Sequence, residues 1–320
     1  MLQLSVDWLI YSVLKFTAES KLAGLINFFI YDSIKIMLLL FVMIAVIGFL
    51  RTFLPHDKLR RWLTKTGILG NFFAAVFGAV TPFCSCSSVP IFLSFIEARV
   101  PLGIAFSFLI SSPIINEYLV VLMLGFFGWK ITVAYVVSGI LIGMFSGLAL
   151  GTMSLERELV RDMVISDADV LSSMKRHKDF QSRIIFGFKE AILIVKKIWG
   201  WILVGVGVGA LIHNYIPQEA VQAIVSKTGF FSVPAATLLG VPLYGSCAAI
   251  LPIAIVLFQK GFPLGTALSF MMGVSALSLP EAIMLRRAMK LKLIVIFFSI
   301  TTLAIILTGY LFNILQKVLI

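Results

Sequence analysis

Residues 101–117 read Pro-Leu-Gly-Ile-Ala-Phe-Ser-Phe-Leu-Ile-Ser-Ser-Pro-Ile-Ile-Asn-Glu, an apolar run that ends in serines, a proline, an amide and an acid. Its opening residues, Pro101-Leu102-Gly103, recur as Pro263-Leu264-Gly265. The same offset, 263 − 101 = 162, relates matched residues from Pro55 to Phe108 without a gap. Chance is a poor explanation for one constant offset, so the sequence predicts an internal duplication.

The composition indicates a membrane protein. Of the 320 residues, 60% are hydrophobic and 13% are charged, whereas soluble domains carry about 25% charged residues. A hydrocarbon core about 30 Å thick takes ~20 apolar residues per helix. Eight apolar stretches are long enough to cross or enter such a core: Ile34–Leu54, Ile68–Ile96, Pro101–Phe127, Trp129–Gly151, Ile198–Ile216, Phe230–Phe258, Pro263–Leu285 and Leu291–Leu315. The predicted fold class is an all-α polytopic membrane protein in a lipid bilayer.

The net charge of +11 does not indicate a nucleic-acid partner, because the basic residues lie in short segments between apolar stretches. That pattern is how membrane topology is encoded. The sequence has no phosphate-binding Gly-x-x-x-x-Gly-Lys-Ser/Thr loop and no His-Glu-x-x-His motif. We therefore expect neither an ATP-driven pump on this chain nor an enzyme, and no cofactor or resident metal.

Four regions are expected along the chain. Residues 1–33 form an N-terminal interfacial segment without a removable signal peptide, and residues 34–151 form a first membrane repeat. Residues 152–189, charged and mixed in sign, form a cytoplasmic linker. Residues 190–320 form a second membrane repeat.

The basic residues predict that the two repeats are inverted. After the first apolar stretch the chain has five basic residues: Arg51, Lys58, Arg60, Arg61 and Lys65. The corresponding segment after the fifth stretch has only Lys227. Before the last stretch of each half the bias reverses, with Lys130 alone against Arg286, Arg287, Lys290 and Lys292. Since cytoplasmic loops are enriched in Lys and Arg, residues 51–66 and 152–189 are expected in the cytoplasm, and residues 217–228 and both termini outside.

Inversion requires an odd number of crossings per half, so one of the four stretches in each half must enter and leave by the same face. We expect this of the second and sixth stretches, which are interrupted at residues 81–88 and 240–247. Non-helical backbone at membrane depth survives only where protein or water surrounds it, so such breaks mark cavities. The expected helix-breaking residues are Pro82, Pro90, Pro113, Pro242, Pro252 and Pro280.

Three cysteines lie in the interrupted stretches. Cys84-Ser85-Cys86 is expected on a loop between Pro82 and Pro90, where alternate residues of an extended chain point the same way. Two sulfurs can then bind one soft metal or metalloid centre. Ser246-Cys247 occupies the place of Cys84-Ser85 at the offset of 162, so both segments are candidate substrate ligands. The alternative is that these thiols simply pack as small buried side chains.

Two acids lie in the third and seventh stretches, which break at residues 111–117 and 275–281. A charged residue at bilayer depth is unfavourable and is therefore often functional. Glu117, with Asn116, is a candidate for proton coupling, or else an acid near the headgroups or hydrogen-bonded to a serine. Glu281 is also a candidate, although its closeness to Arg286 and Arg287 favours an interfacial position.

Gly139, Gly143, Gly147 and Gly151 recur at every fourth position of the fourth stretch. This spacing places a smooth strip on one helix face, which is typical of close helix packing. The sequence does not say whether the partner helix belongs to the same chain.

The segment Thr81-Pro82-Phe83-Cys84-Ser85-Cys86-Ser87-Ser88-Val89-Pro90, together with residues 101–117, resembles a family of bacterial predicted permeases of the YraQ type, which includes organoarsenical efflux permeases. The resemblance covers most of the chain. It implies a multi-pass protein of the bacterial cytoplasmic membrane that exports a small thiol-reactive solute, such as a trivalent organoarsenical, and so confers arsenic resistance.

Combined with the inverted halves, this resemblance favours a secondary permease driven by a proton or other ion gradient. Three other interpretations stay open: a membrane thiol-disulfide electron relay, a permease for an unrelated solute with structural cysteines, and a structural or insertase-like protein. The sequence leaves the oligomeric state open.

Overall fold

The computed structural model describes residues 2–8, 10, 21–51, 67–81, 85–97, 100–153, 155–160, 180–215, 229–243, 253–255, 257–258, 261–286 and 288–319. These ranges are helical apart from turns and one isolated β-bridge. The helices are α1 Leu2–Asp7, α2 Lys21–Arg51, α3 Ile68–Val80, α4 Ser85–Glu97, α5 Leu102–Ile114, α6 Glu117–Thr152, α7 Phe180–Tyr215, α8 Ser232–Gly240, α9 Leu264–Ala276, α10 Leu279–Leu285 and α11 Leu291–Leu319.

Three helical segments of the described chain are long and apolar enough to cross a membrane: Leu119–Thr152, Leu264–Leu285 and Leu291–Gln316. Shorter apolar helices occupy Ile68–Val80, Leu102–Ile114 and Gly229–Gly240. This confirms an all-helical protein with several apolar spans, as a multi-pass membrane protein requires.

Two helices begin earlier than their apolar stretches. Helix α2 begins at Lys21 rather than near Ile34, and α7 begins at Phe180, inside the expected linker. A helix continues through polar residues such as Asp32, whereas an apolar stretch by definition stops at them. The start of α2 is further held by Asn27, whose side-chain amide donates to the Asp7 carboxylate of α1 at 2.7 Å.

Helices α3 and α4 form a hairpin against α5. Ser107 of α5 donates to the Asn71 side chain near the start of α3 at 2.9 Å, and Gly78 near the end of α3 lies against Phe108 and Ser112. Helix α3 therefore runs parallel to α5. Ser88 near the start of α4 forms a hydrogen bond with Ser112 near the end of α5 at 2.8 Å. Phe92, one turn further along α4, packs on Phe106, which is nearer the start of α5. Helix α4 therefore runs antiparallel to α5. The hairpin consequently begins and ends at the same end of α5.

The glycine strip of α6 packs against α5 of the same chain. A Cβ atom added to Gly143 would lie 3.0 Å from the Ser107 carbonyl oxygen, and one on Gly147 would lie 2.6 Å from the Gly103 carbonyl oxygen. Glycine is needed here because the two backbones are almost in contact. The kink that separates the third and fourth apolar stretches lies at Gly128, whose φ is 78°.

The same contacts occur 162 residues further along. Gly309 of α11 packs on Gly265 and Ser269 of α9, as Gly147 packs on Gly103 and Ser107. Gly240 of α8 lies against Phe270 and Val274, as Gly78 lies against Phe108 and Ser112. The backbone matches too, since φ is 52° at Gly67 and 51° at Gly229.

The N-terminal and C-terminal halves of the chain meet through corresponding helices. Helix α2 packs along α7, α6 packs on α11, and α5 approaches α9. The rings of Phe106 and Phe297 stack with centroids 5.4 Å apart in the shared core.

The beginning of the predicted linker is attached to the C-terminal half. Leu159 forms an antiparallel bridge with Met289 in the turn between α10 and α11. The Val160 amide donates to the Ala288 carbonyl at 3.0 Å, and the Lys290 amide donates to the Glu158 carbonyl at 2.9 Å. The end of α6 and the start of α11 therefore lie at the same end of the molecule.

Candidate transport site

Two helix breaks lie at corresponding places in the chain. Helix α5 ends at Ile114 and α6 begins at Glu117, with Ile115 and Asn116 between them. Helix α9 ends at Ala276 and α10 begins at Leu279, with Leu277 and Ser278 between them. Both breaks fall inside the apolar stretches where the sequence predicts them.

The first break is later than its predicted start, because α5 continues through Ser111, Ser112 and Pro113. A proline removes one helical hydrogen bond, whereas leaving the helix earlier would strand several backbone groups in an apolar environment. Pro280, in contrast, lies in the first turn of α10, where its missing N–H costs little. Pro242 lies just past the end of α8.

Tyr135 of α6 forms a hydrogen bond with the backbone at the first break. Its buried hydroxyl donates to the Ile114 carbonyl at 3.0 Å, which satisfies a backbone acceptor at the end of α5. The Asn116 carbonyl accepts from the Val120 amide at 2.9 Å. Sequence reasoning missed Tyr135, although a tyrosine in an apolar helix needs a partner for its hydroxyl.

The two candidate acids have opposite environments. Glu117, the first residue of α6, is exposed, whereas Glu281 has 0% exposure. Glu281 is thus buried inside the protein, and its interfacial depth in the membrane stays a prediction. Pro280, Glu281, Met284 and Leu285 form the buried face of α10, and Arg286 is exposed on the other side. Nearness in sequence to arginines did not predict which helix face the acid occupies.

The segment Ser85-Cys86 lies in the first turn of α4 rather than on a loop. The backbone of Cys86 is therefore helical, and the predicted loop does not extend through it. Helix α4 also runs past Pro90, for the same physical reason as at Pro113. Pro82, Cys84, Ser246, Cys247 and Pro252 lie outside the described residues, as do the side chains of Ser85, Cys86 and Pro90.

The arm that follows each break packs on the hairpin region of the other half. Helix α10, which bears Glu281, packs against α7 and against α4, which bears Cys86. On the other side, Phe127 in the first part of α6 contacts Phe258, with ring centroids 5.7 Å apart. The arms that follow both breaks thus lie at the contact between the halves.

A mainly apolar cavity of about 490 Å³ opens beside the second break. It lies between α8, α10 and α11, and its lining includes Val241, Pro242 and Leu279. The Leu279 amide donates to the Val241 carbonyl at 3.1 Å, which attaches the end of α8 to this break. Its lining includes the exposed side chains of Leu238 and Leu303, so it is an open groove and not an enclosed pocket.

Known proteins provide an independent comparison. A Streptococcus mutans protein, named as a subunit of a proposed two-component membrane permease complex, is 26% identical over 201 residues, covering 61% of this chain and 65% of that protein. The Bacillus subtilis protein YcgR is 22% identical over 293 residues, covering 91% of this chain and 96% of its own. The Escherichia coli protein YraQ is 25% identical over 244 residues, covering 76% of this chain and 67% of its own. No solved structure matches the chain.

The model of a family described as a predicted permease, ArsP_1, matches residues 21–314. This range includes both helix breaks, the glycine strip and the hairpin of α3 and α4. A permease moves a solute across a membrane, so the family implies a transporter and not an enzyme. The chain therefore belongs to the ArsP_1 family of predicted permeases.

Proposed function

We propose that the protein is a secondary-active permease built from two inverted halves, residues 34–151 and 190–320, joined by a cytoplasmic linker. A small solute moves between the broken arms, near the middle of the membrane. The observation that carries this proposal is the packing of the acid-bearing arm α10 on the cysteine-bearing helix α4 of the other half. Alternating access in such transporters takes place at contacts between repeats.

A duplication is supported by the constant offset of 162 residues in three independent features. The helix bounds Leu102–Ile114 and Leu264–Ala276 correspond residue for residue. Gly147 of α6 meets Gly103 and Ser107 of α5, and Gly309 of α11 meets the corresponding Gly265 and Ser269 of α9. Val100 donates to the Phe95 carbonyl, and Phe262 donates to the Leu257 carbonyl.

Inversion is supported by where corresponding residues lie. Gly128 and Thr152 are at opposite ends of the second part of α6, about 36 Å apart at 1.5 Å per residue. Phe127 lies at the Gly128 end, whereas its counterpart Met289 pairs with Leu159, close after Thr152. Corresponding residues at opposite ends of the molecule are what an inverted repeat requires.

The proposed substrate is a small thiol-reactive solute such as a trivalent organoarsenical, exported at the expense of a proton or other ion gradient. Cys84, Cys86 and Cys247 would bind it, with Ser85 and Ser246 beside them. Support comes from the cysteines in corresponding interrupted segments and from the helical position of Cys86, since a helix N-terminus favours the thiolate form. Asn116, Glu117 and Glu281 are the proposed coupling residues.

The test combines protection with transport. Phenylarsine oxide should shield all three cysteines of the purified protein from maleimide labelling, and replacement of any one cysteine by serine should weaken shielding and efflux from cells. Chemically matched serine variants keep the side-chain size. Equal labelling with and without the arsenical, or full efflux by the cysteine-free variant, would falsify thiol binding.

The same variants separate this proposal from a thiol-disulfide relay. A relay must form and reduce a disulfide at each turnover, so trapping with a thiol-blocking agent during activity should reveal an oxidised pair. The permease proposal expects reduced cysteines throughout. A cysteine-free protein that still transports another solute would favour a permease with structural cysteines.

A further inference from the structure

A buried side-chain hydrogen bond joins the cysteine-bearing helix α4 to α5. The hydroxyl groups of Ser88 and Ser112 lie 2.8 Å apart, and both residues are 0% exposed. A buried hydroxyl that loses a partner is unfavourable in an apolar environment, so this bond resists separation of the two helices. Ser88 follows Cys86 by two residues, so the bond acts next to the first turn of α4, which begins at Ser85.

Three contacts fix the register of α4 against α5. Besides the serine pair, two ring contacts do so: Phe92 with Phe106 at 5.2 Å and Phe95 with Phe108 at 5.3 Å between centroids. Because the helices are antiparallel, moving back along α4 from Ser88 corresponds to moving forward along α5 from Ser112. Three residues on either helix correspond to about 4.5 Å. The backbone of Ser85 therefore lies level with Ile115, the first residue of the first break.

The second half cannot form the same bond. The residues 162 positions after Ser88 and Ser112 are Ile250 and Val274, which have no hydroxyl. In each half a glycine of the preceding helix packs on this position of α5 or α9. Packing alone therefore does not require a hydroxyl here. The half with the hydrogen bond is also the half with two of the three cysteines.

A second buried hydrogen bond of α5 provides a comparison. Ser107 is also 0% exposed, and its hydroxyl donates to the Asn71 side chain at 2.9 Å. This bond resembles the serine pair in burial and length, but it joins α5 to α3, which has no cysteine. The two bonds thus differ in which helix of the hairpin they hold.

We propose that Ser88 and Ser112 are positioning residues, which hold the first turn of α4, and with it the backbone of Cys86, at the first helix break. This inference rests on the proposed function and deepens it, because it keeps a proposed thiol ligand level with the break that contains Asn116. Loss of either hydroxyl leaves the other buried without this partner, so the turn separates from α5 more readily.

The first measurement needs no substrate. The background is Cys84→Ser with Cys247→Ser, which leaves Cys86 as the only cysteine of the purified protein. In it, Ser112→Ala should raise the rate of maleimide labelling about threefold to tenfold, because the thiol reacts more readily when the turn opens and one hydrogen bond changes that equilibrium by such a factor. Ser88→Ala should have the same effect. The double variant should not exceed either single one, because all three remove one bond.

Ser107→Ala is the matched control. It removes an equally buried hydrogen bond of the same helix, so its melting temperature should fall about as far as that of Ser112→Ala, while the labelling rate of Cys86 stays unchanged. An unchanged rate in Ser112→Ala, an equal rise in Ser107→Ala, or additive effects of Ser88→Ala and Ser112→Ala would overturn the positioning role. If Ser112→Ala does not fold, Ser88→Ala removes the same bond from the other helix and decides the question.

A second measurement separates this inference from the proposed function. In protein with all three cysteines, Ser112→Ala should weaken shielding by phenylarsine oxide about threefold to tenfold, whereas Ser107→Ala should not. No shielding in the wild type, together with faster labelling of Cys86 in Ser112→Ala, would overturn thiol binding and leave the positioning role standing. Shielding in the wild type with an unchanged labelling rate in Ser112→Ala would overturn the positioning role alone.

Discussion

At the scale of single residues, close backbone approach determines how the core is built. The four-residue spacing of Gly139, Gly143, Gly147 and Gly151 predicts a packing strip, and the structure identifies its partner as α5. The sequence could not name that partner, because small-residue strips also join separate chains. It also could not separate the two acids, since the burial of Glu281 depends on which face of α10 meets α7.

The glycine strip leads to a residue-scale prediction. In Gly147→Ala the new methyl group would meet the Ser107 hydroxyl and lie 2.6 Å from the Gly103 carbonyl oxygen. Overpacking of this kind costs about 1–3 kcal/mol, so the melting temperature in detergent should fall clearly. Gly125→Ala in the same helix is the control, because nothing lies within 4 Å of its added Cβ. An equal melting temperature for both variants would contradict the assigned α5–α6 contact.

At the scale of elements, fewer prolines end a helix than the sequence suggested. Pro90 and Pro113 lie inside helices, whereas Pro280 begins one. A proline marks a break when it follows the end of the preceding helix, but within an apolar environment a helix passes through it because the other hydrogen bonds are retained. The helix breaks of the third and seventh stretches were predictable to within a few residues. The helical position of Cys86 was not.

The attachment of the linker to the turn before α11 leads to an element-scale prediction. Cysteines replacing Leu159 and Met289 in a cysteine-free background should form a disulfide under mild oxidation, because directly opposite residues of an antiparallel pair have Cα atoms about 4.5–5.5 Å apart. A cysteine pair at positions 159 and 230 should not form a disulfide. Phe230 stacks on Tyr310, about 30 Å further along α11. Failure of the first pair, or equal cross-linking of the second, would contradict this attachment.

At the scale of the whole molecule, the constant offset of 162 residues was the most informative sequence feature. The bounds of α5 and α9, and the contacts of Gly147 and Gly309, are related by the same offset. The charge bias predicts the direction of each half, which helix periodicity alone cannot do. Contacts between the halves were beyond the sequence, because the approach of α10 to α4 depends on how two apolar surfaces fit together.

Inversion is the central claim, and the side of the membrane reached by two matched residues tests it most directly. Lys130 and Lys292 are exposed, lie near the first residues of corresponding helical segments, and are separated by the offset of 162. In a cysteine-free background, Lys130→Cys should react with a membrane-impermeant maleimide added to intact cells. Lys292→Cys should react only after the membrane is opened. Reaction of both from the same side would contradict the inverted arrangement.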